Sequence, residues 1–236
     1  MNSQDVFGKA LTAYTKGATD AQIIVRAQDF EDDYIPVSYL YRDYSTMPVL
    51  ERTALNRCQG AVLDIGCCAG SHSLYLQDVR KLPVTAIDIS PGATAVCQTR
   101  GVCDVSTIDF YDLPASSYDT LLLLMNGTGF LRSLKKASSF FDKARTLLVP
   151  GGTILMDGSD IRHVFTNDNG ELWKDLDKNY FGEMKYQICY GQTCSATFDW
   201  LYLDYPKLSQ LAHENRFKAK CIQEDGNAYL AELMAF

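Results

Sequence analysis

The sequence lacks both a long hydrophobic run and an excess of basic residues. Its longest uninterrupted apolar stretch covers only residues 121–125, whereas a membrane-spanning helix needs roughly 20 apolar residues. The formal net charge is −7, which argues against a nucleic-acid backbone as the main partner because phosphate contacts require a basic face. We therefore expect neither a membrane nor a nucleic acid as partner.

Signals for targeting and for metal binding are also missing. Residues 1–5 contain no lysine or arginine and precede no apolar segment, so we predict no signal peptide and a cytoplasmic protein. In that compartment the eight cysteines are expected to be free, mostly buried thiols. Cys189 and Cys194 resemble half of a zinc site, but the four residues between them are typical of a hairpin turn and no second pair shares their spacing. We predict no metal site.

The central part of the sequence alternates short β-branched runs with helical segments. Strands are predicted at 61–65, 83–88, 102–108, 118–125 and 153–157, and helices between them at 71–78, 91–100 and 131–147. Such alternation predicts a parallel sheet with right-handed crossovers. The expected fold is α/β, with a doubly wound, mostly parallel Rossmann-like sheet.

The two ends of the chain depart from this alternation. Weakly amphipathic segments at 5–14 and 20–29, and a helix opening at Pro48, predict an N-terminal helical cap. Near the other end, hairpins are predicted around Gly191-Gln192 and Asp225-Gly226-Asn227, with a helix at 205–215 between them. We interpret 1–236 as one domain: a cap at 1–57, a ligand-binding core at 58–160, and an extension at 161–236 that closes the sheet with antiparallel strands.

The most informative segment reads VLDIGCCAGS, residues 62–71, and passes from a strand through a glycine turn into a helix. At such a turn an α/β sheet brings backbone N–H groups close to a ligand. A dinucleotide fingerprint would need glycine at Cys68 and Ser71, and Asp64 would repel a pyrophosphate. The glycine spacing therefore disfavours an NAD-dependent oxidoreductase, and Asp64 favours a ligand that carries a cationic amino group.

Asp64, Gly66, Cys68 and Gly70 resemble the first motif of class I S-adenosylmethionine-dependent methyltransferases, an acid followed by G-x-G-x-G, with Cys68 at the middle glycine. The resemblance implies that S-adenosylmethionine is the cofactor and that the chain is an enzyme. By the same resemblance, Asp88 accepts the ribose hydroxyls, Asp109 accepts the adenine amino group between apolar neighbours, and Asn126 faces the ligand crevice. The residues that this comparison assigns to the cofactor are Asp64, Gly66, Cys67, Cys68, Gly70, Ser71, His72, Asp88, Ile89, Asp109, Phe110 and Asn126.

The resemblance implies in-line methyl transfer, which requires water exclusion and alignment of the acceptor rather than a metal. Three residues are candidates for catalysis: His72 as a base, Tyr41, and Arg42 as a bidentate partner for a ligand carboxylate. Over its whole length the chain also resembles small bacterial methyltransferase-domain proteins of unassigned substrate. The acidic surface and the tyrosine-rich cap favour a small-molecule acceptor, and both a monomer and a homodimer stay open.

Two alternatives accompany this interpretation. Because Cys68 carries a Cβ where the motif has glycine, a protein that binds S-adenosylmethionine or S-adenosylhomocysteine without catalysis is one alternative. The disfavoured NAD-dependent oxidoreductase is the other. Phe198, Trp200 and Tyr202 alternate along a predicted strand and are expected to pack, with an aromatic wall for a planar or cationic substrate as the less favoured reading.

Overall fold

The alternating segments form a seven-stranded sheet in the computed structural model, which describes residues 5–28, 30–166 and 180–236. The helices of the described ranges are α1 (Val6–Thr15), α2 (Val49–Arg57), α3 (Ser71–Leu74), α4 (Pro91–Arg100), α5 (Ala137–Leu147) and α6 (Tyr205–Glu214). The strands are β1 (Gln22–Ala27), β2 (Asp33–Pro36), β3 (Val62–Ile65), β4 (Val84–Asp88), β5 (Val105–Thr107), β6 (Tyr118–Leu123), β7 (Leu148–Ser159), β8 (Glu183–Tyr190), β9 (Thr193–Cys194), β10 (Phe198–Leu201), β11 (Phe217–Asp225) and β12 (Ala228–Ala235).

The main sheet has the order β11-β12-β7-β6-β3-β4-β5. Strands β3 to β7 pair in parallel, and β12 and β11 add to β7 as antiparallel strands. In the central strand β6, Leu121, Leu122 and Leu123 are fully buried, as expected where helices cover both faces of a parallel sheet. The predicted mostly parallel sheet with antiparallel C-terminal strands is confirmed.

The predicted helix at 20–29 is wrong, and the N-terminal region is therefore only partly helical. Residues of this segment form strand β1, which pairs with both β2 and β8 in a second, antiparallel sheet of order β10-β8-β1-β2. The β-branched run Ile23–Val25 suits a pleated strand, and pairing with β8, far along the chain, overrides the weak helical periodicity. The last residue of that predicted helix, Asp29, lies outside the described residues.

Smaller departures concern where the central elements begin and end. The predicted helix at 71–78 is α3 followed by a π-helical turn at Tyr75–Val79. The helix predicted from residue 131 is α-helical only from Ala137, after two short 3₁₀ turns. Strand β7 continues through Pro150-Gly151-Gly152, which we expected to precede it, while β5 is shorter than predicted. None of these differences changes the strand order.

The expectation that all eight cysteines are free is wrong for one pair. Cys189 and Cys194 lie directly opposite each other across the β8–β9 hairpin, with their Cα atoms 4.1 Å apart, and form a disulfide. The predicted hairpin brings the two residues together, so the geometry that argued against zinc also permits the crosslink. The other six cysteines are free.

Helix α1 is held against α4, one of the helices that cover the main sheet, by close contacts. The Asp5 carboxylate accepts hydrogen bonds from Gly8 N, Ser90 Oγ and Gly92 N, which tie α1 to α4. A Cβ at Gly92 would stand 2.4 Å from the Cα of Gly8, so the crossing of these helices requires glycine.

Within the described ranges, no helix has the length and apolar character needed to cross a membrane.

Candidate functional site

The glycine loop after β3 turns through three residues with left-handed backbone. Gly66, Cys68 and Gly70 have φ values of +78°, +51° and +81°. Cys68 therefore adopts the conformation that the middle glycine of the motif would adopt freely, despite its Cβ. Its amide donates to Asp88 Oδ2 at 3.0 Å, and its carbonyl accepts from Cys97 Sγ at 3.0 Å. These two hydrogen bonds hold the strained residue in place.

A pocket lies between this loop, the end of β6 and the segment that precedes α2. Predicted site residues that line it are Arg42, Asp64, Gly66, Cys67, Cys68, Ser71 and His72. Leu40, Ile65, Leu124 and Met125 complete the lining and were not singled out from the sequence. Asp64 is 3% exposed and accepts a hydrogen bond from Ser73 Oγ, and burial raises the pKa of its carboxyl group.

Asp88 and Ile89 lie beside the loop at the end of β4. The Asp88 carboxylate accepts from the amides of Cys68 and Ser90, one on each oxygen, and each oxygen keeps a free lone pair. Burial raises the pKa of this carboxyl group. Ile89 is 71% exposed, an unusual position for a large apolar side chain. The pair offers acceptors for hydroxyl groups next to an uncovered apolar surface.

Asp109 and Phe110, which are neighbours in the sequence, have different surroundings in the structure. Asp109 is partly exposed, and its carboxylate accepts from Tyr111 N and from Arg132 Nη2 at 2.9 Å. Phe110 is only 2% exposed, and its ring stacks on Phe140 in the main core with ring centroids 5.3 Å apart. The expectation that the Phe110 ring flanks a ligand is therefore wrong, because burial in the core uses this apolar ring.

Asn126 occupies a strained turn at the end of β6. Met125 and Asn126 both have left-handed backbone, with φ of +66° and +63°. Asp157, at the end of the neighbouring strand, accepts from the amides of Asn126 and Gly127 at 3.1 and 2.8 Å. Burial raises the pKa of Asp157 to about 6, against the lowering effect of these amide hydrogen bonds. Strain of this kind costs on the order of 1–3 kcal/mol per residue and is concentrated at functional sites.

Arg42 is part of a buried charge network with Glu51. Arg42 was a candidate from the sequence, but Glu51 was not. Arg42 Nη2 donates to both carboxylate oxygens of Glu51, and the two side chains are 5% and 6% exposed. His72 Nε2 shares a 2.8 Å hydrogen bond with Glu51 Oε2. Burial opposes ionisation of Glu51, but the hydrogen bonds and charges of His72 and Arg42 outweigh it and lower its pKa. Glu51 belongs to no recognisable motif, so the sequence carried no signal for it.

The bidentate partner predicted for Arg42 is thus Glu51 and not a ligand. Arg42 Nη1 is also engaged, by the carbonyl of Tyr39. The remaining donor, Arg42 Nε, is buried and has no acceptor among the described residues. One donor nitrogen of this pocket-lining side chain therefore has its hydrogen bond unmade within the described part of the chain.

Tyr41 lies apart from this network. Its hydroxyl group donates to the carbonyl of Leu11 and shares a 2.8 Å hydrogen bond with Thr15, and its ring packs on Tyr14. These contacts attach Tyr41 to α1, and it does not line the pocket. No cluster of three or more potential metal ligands occurs in the described ranges.

A glycine turn between the first central strand and its helix, with acids at the ends of adjacent strands, defines an α/β enzyme that binds a nucleoside-containing cofactor. The comparisons identify the family. The family profile described as "Methyltransferase domain" matches residues 62–152. No curated protein matches the sequence.

Solved structures extend the match to the whole chain. A SAM-dependent methyltransferase from Bacteroides fragilis, crystallised with S-adenosyl-L-homocysteine, is 38% identical, with a TM-score of 0.92 over 100% of this chain and 97% of that chain. The CcbJ methyltransferase from Streptomyces caelestis, 14% identical, has a TM-score of 0.59 over 83% of this chain and 99% of that chain. A methyltransferase from Clostridium acetobutylicum, 12% identical, has a TM-score of 0.57 over 79% and 89%.

The chain belongs to the S-adenosylmethionine-dependent methyltransferases. It is accordingly an enzyme that uses S-adenosylmethionine, as the glycine-loop resemblance implied. The oxidoreductase and non-catalytic alternatives are set aside by this membership. The two more distant structures support the fold alone.

Proposed function

We propose that the chain methylates a small-molecule acceptor, with S-adenosylmethionine held by the glycine loop, Asp88, Ile89, Asp109 and Asn126. The observation that carries this placement is the exposed Ile89 beside the hydrogen-bonded Asp88. An adenosine there would hydrogen-bond its ribose to Asp88 and cover the isoleucine with its base, which would remove apolar surface from water. Asp109 would reach the adenine amino group once it shares or exchanges its bond with Arg132.

In this proposal the pocket holds the amino-acid end of the cofactor. Asp64 provides a buried negative charge near the ammonium group, and Arg42 Nε provides an unused donor for the carboxylate. When bound, S-adenosylmethionine supplies a methyl group on a positively charged sulfur. The carboxylates of Asp64, Asp88 and Asp157 favour that positive charge over the neutral sulfur that remains after transfer.

His72 is the residue that we propose to accept a proton from the acceptor. Its Nε2 atom is committed to Glu51, so the neutral ring would present Nδ1 as the acceptor atom. Glu51 fixes the ring, and Arg42 fixes Glu51. In this proposal Glu51 and Arg42 are positioning residues. Tyr41 is left out because its hydroxyl group already bonds to α1.

Thermal unfolding with S-adenosylhomocysteine, with NAD, and without ligand tests the placement. A ligand at roughly 100 times its dissociation constant adds about 2.7 kcal/mol to the free energy of unfolding, or on the order of 5–10 °C for a domain of this size. We expect that shift with S-adenosylhomocysteine alone. Asp88→Ala should lose most of it at the same ligand concentration.

The control is Asp225→Ala, which changes an exposed carboxylate in the β11–β12 turn and should keep the full shift. An Asp88→Ala protein with a normal ligand-induced shift would remove the ribose from this position. A shift with NAD of the same size would contradict the cofactor assignment itself.

A further inference from the structure

Five half-buried aromatic residues form a continuous series of ring contacts that begins in the turn after β6, next to the glycine loop, and continues over β10 and β8 of the second sheet. We name Phe130, Trp200, Phe198, Tyr186 and Tyr202 the aromatic row. Successive ring centroids lie 6.4, 6.2, 6.5 and 6.3 Å apart in that order. The hydroxyl groups of Tyr186 and Tyr202 are 3.3 Å apart and close the far end with a hydrogen bond.

The near end of the aromatic row touches the loops that form the proposed site. A Cβ built on Gly66 would stand 2.7 Å from the tip of the Phe130 ring, so this ring lies directly against the glycine loop. A Cβ on Gly129 would stand 2.2 Å from the Trp200 indole, which therefore packs flat on the turn that follows Asn126. The aromatic row therefore begins at the glycine loop and leads away from it.

The charges along the aromatic row are negative or already paired. Asp157 lies behind Asn126 and Gly127 at the near end. Toward the far end, burial raises the pKa of both Tyr186 and Tyr202, and the negative charge of Asp33 acts in the same direction. Between the two rings of β10, Asp199 binds Lys136 and Lys185. None of the cation–ring contacts within the described ranges involves these five rings.

We propose that the aromatic row is the acceptor subsite and that the acceptor is an arylalkylamine, a flat ring joined by a short chain to an amine. The ring would stack along Trp200 and Phe198. The positive amine would be attracted to the ring faces and to the carboxylates of Asp157 and Asp33, which no lysine or arginine neutralises in the described part of the chain. This inference rests on the proposed function. It would place the amine nitrogen at the near end, beside the Asn126 turn.

The transfer balances without a further reactant. The ammonium first gives up one proton, to His72 or to water, which exposes the nitrogen lone pair. That pair forms the new nitrogen–carbon bond while the carbon–sulfur bond breaks and its electrons stay on sulfur. The products are the N-methylammonium ion, which carries the positive charge that the sulfur has lost, and S-adenosylhomocysteine.

The test measures transfer of a labelled methyl group from S-adenosylmethionine to 2-phenylethylamine, n-butylamine and 2-phenylethanol at equal concentrations. We expect 2-phenylethylamine to react at least tenfold faster than either of the others. Trp200→Leu and Phe198→Leu should each lower that rate tenfold or more. Asp199→Asn, on the same strand between the two rings, should stay within twofold of the wild type.

Thermal unfolding of every variant with S-adenosylhomocysteine separates this proposal from the one on which it rests. Proteins that keep the ligand-induced shift are folded and bind the cofactor. If the wild type keeps the shift but transfers no methyl group to any of the three acceptors, or if it methylates n-butylamine as fast as 2-phenylethylamine, the acceptor class is overturned. Faster reaction of 2-phenylethanol would overturn the amine, and an unchanged rate in both ring variants would overturn the subsite. A wild type without the shift would refute the proposed cofactor placement, and this inference would fall with it.

Discussion

The Arg42–Glu51 ion pair stands at the centre of the pocket's charge network. Both side chains are nearly inaccessible to water, so their charges depend on each other and on His72. A buried ion pair is weak evidence for stability, because desolvation offsets much of the attraction. Loss of one partner is a different matter, since it leaves the other charge buried and uncompensated.

Arg42→Ala should therefore lower the free energy of unfolding by about 3 kcal/mol or more, measured by urea denaturation. Arg57→Ala is the matched control, because Arg57 lies on α2 and pairs with Glu232 at a partly exposed position. Exposed ion pairs contribute roughly 0–1 kcal/mol. The double variant Arg42→Ala/Glu51→Ala should be less destabilised than the sum of the two single variants. Equal losses for Arg42→Ala and Arg57→Ala would contradict the buried network.

At the scale of elements, the β8–β9 hairpin carries a crosslink that the sequence interpretation did not include. Eight cysteines and one disulfide predict that unreduced, denatured protein reacts with a thiol reagent at six sites. After reduction the number should rise to eight. Cys189→Ser is the control, because its count should be seven and should increase no further than that after reduction, with Cys194 free from the start. Eight reactive thiols before reduction would contradict the disulfide.

The central elements were predictable because each carries its signals locally. For α4, the hydroxyl group of Ser90 accepts from Ala93 N at 3.0 Å, Pro91 opens the helix, and Gly101 ends it with φ of +101°. These caps and the apolar runs around them lie within a few residues of one another. The glycine loop was found for the same reason, since its motif is contiguous.

The second sheet was not predictable in this way. Strand β1 is specified by pairing with β8, whose register sets Ile24 against Cys189 and Val25 against Ile188. No local pattern announces a partner so distant in the chain. The same limit explains Glu51, whose role depends on Arg42 and His72 meeting it from two other segments. Contacts between distant segments determine both the β1 strand and the role of Glu51. Such contacts leave no local pattern in a single sequence from which they could be predicted.

The whole molecule brings three carboxylates, one buried and two half-buried, to one edge of the main sheet. Asp64, Asp88 and Asp157 lie at or close to the carboxyl ends of β3, β4 and β7, and burial raises the pKa of all three. None of the three forms a salt bridge within the described part of the chain. The folded state therefore binds protons more tightly than the unfolded state at this edge. Stability should decrease with rising pH on account of these groups, whereas a cationic ligand should offset the effect.

This decrease in stability can be measured at Asp157, because its pKa of about 6 lies well above the ordinary value of 3.8. Its contribution to stability is fully present below the unfolded pKa and is lost as the pH rises through the folded pKa. The free energy of unfolding of the wild type minus that of Asp157→Asn should thus fall by up to about 3 kcal/mol between pH 4 and pH 7. Urea denaturation of both proteins across this range gives the difference directly, and subtraction cancels the contributions of Asp64 and Asp88. A difference that stays flat or rises with pH would mean that burial does not oppose the ionisation of Asp157, and that a cationic ligand has no cost of ionisation to offset at this position.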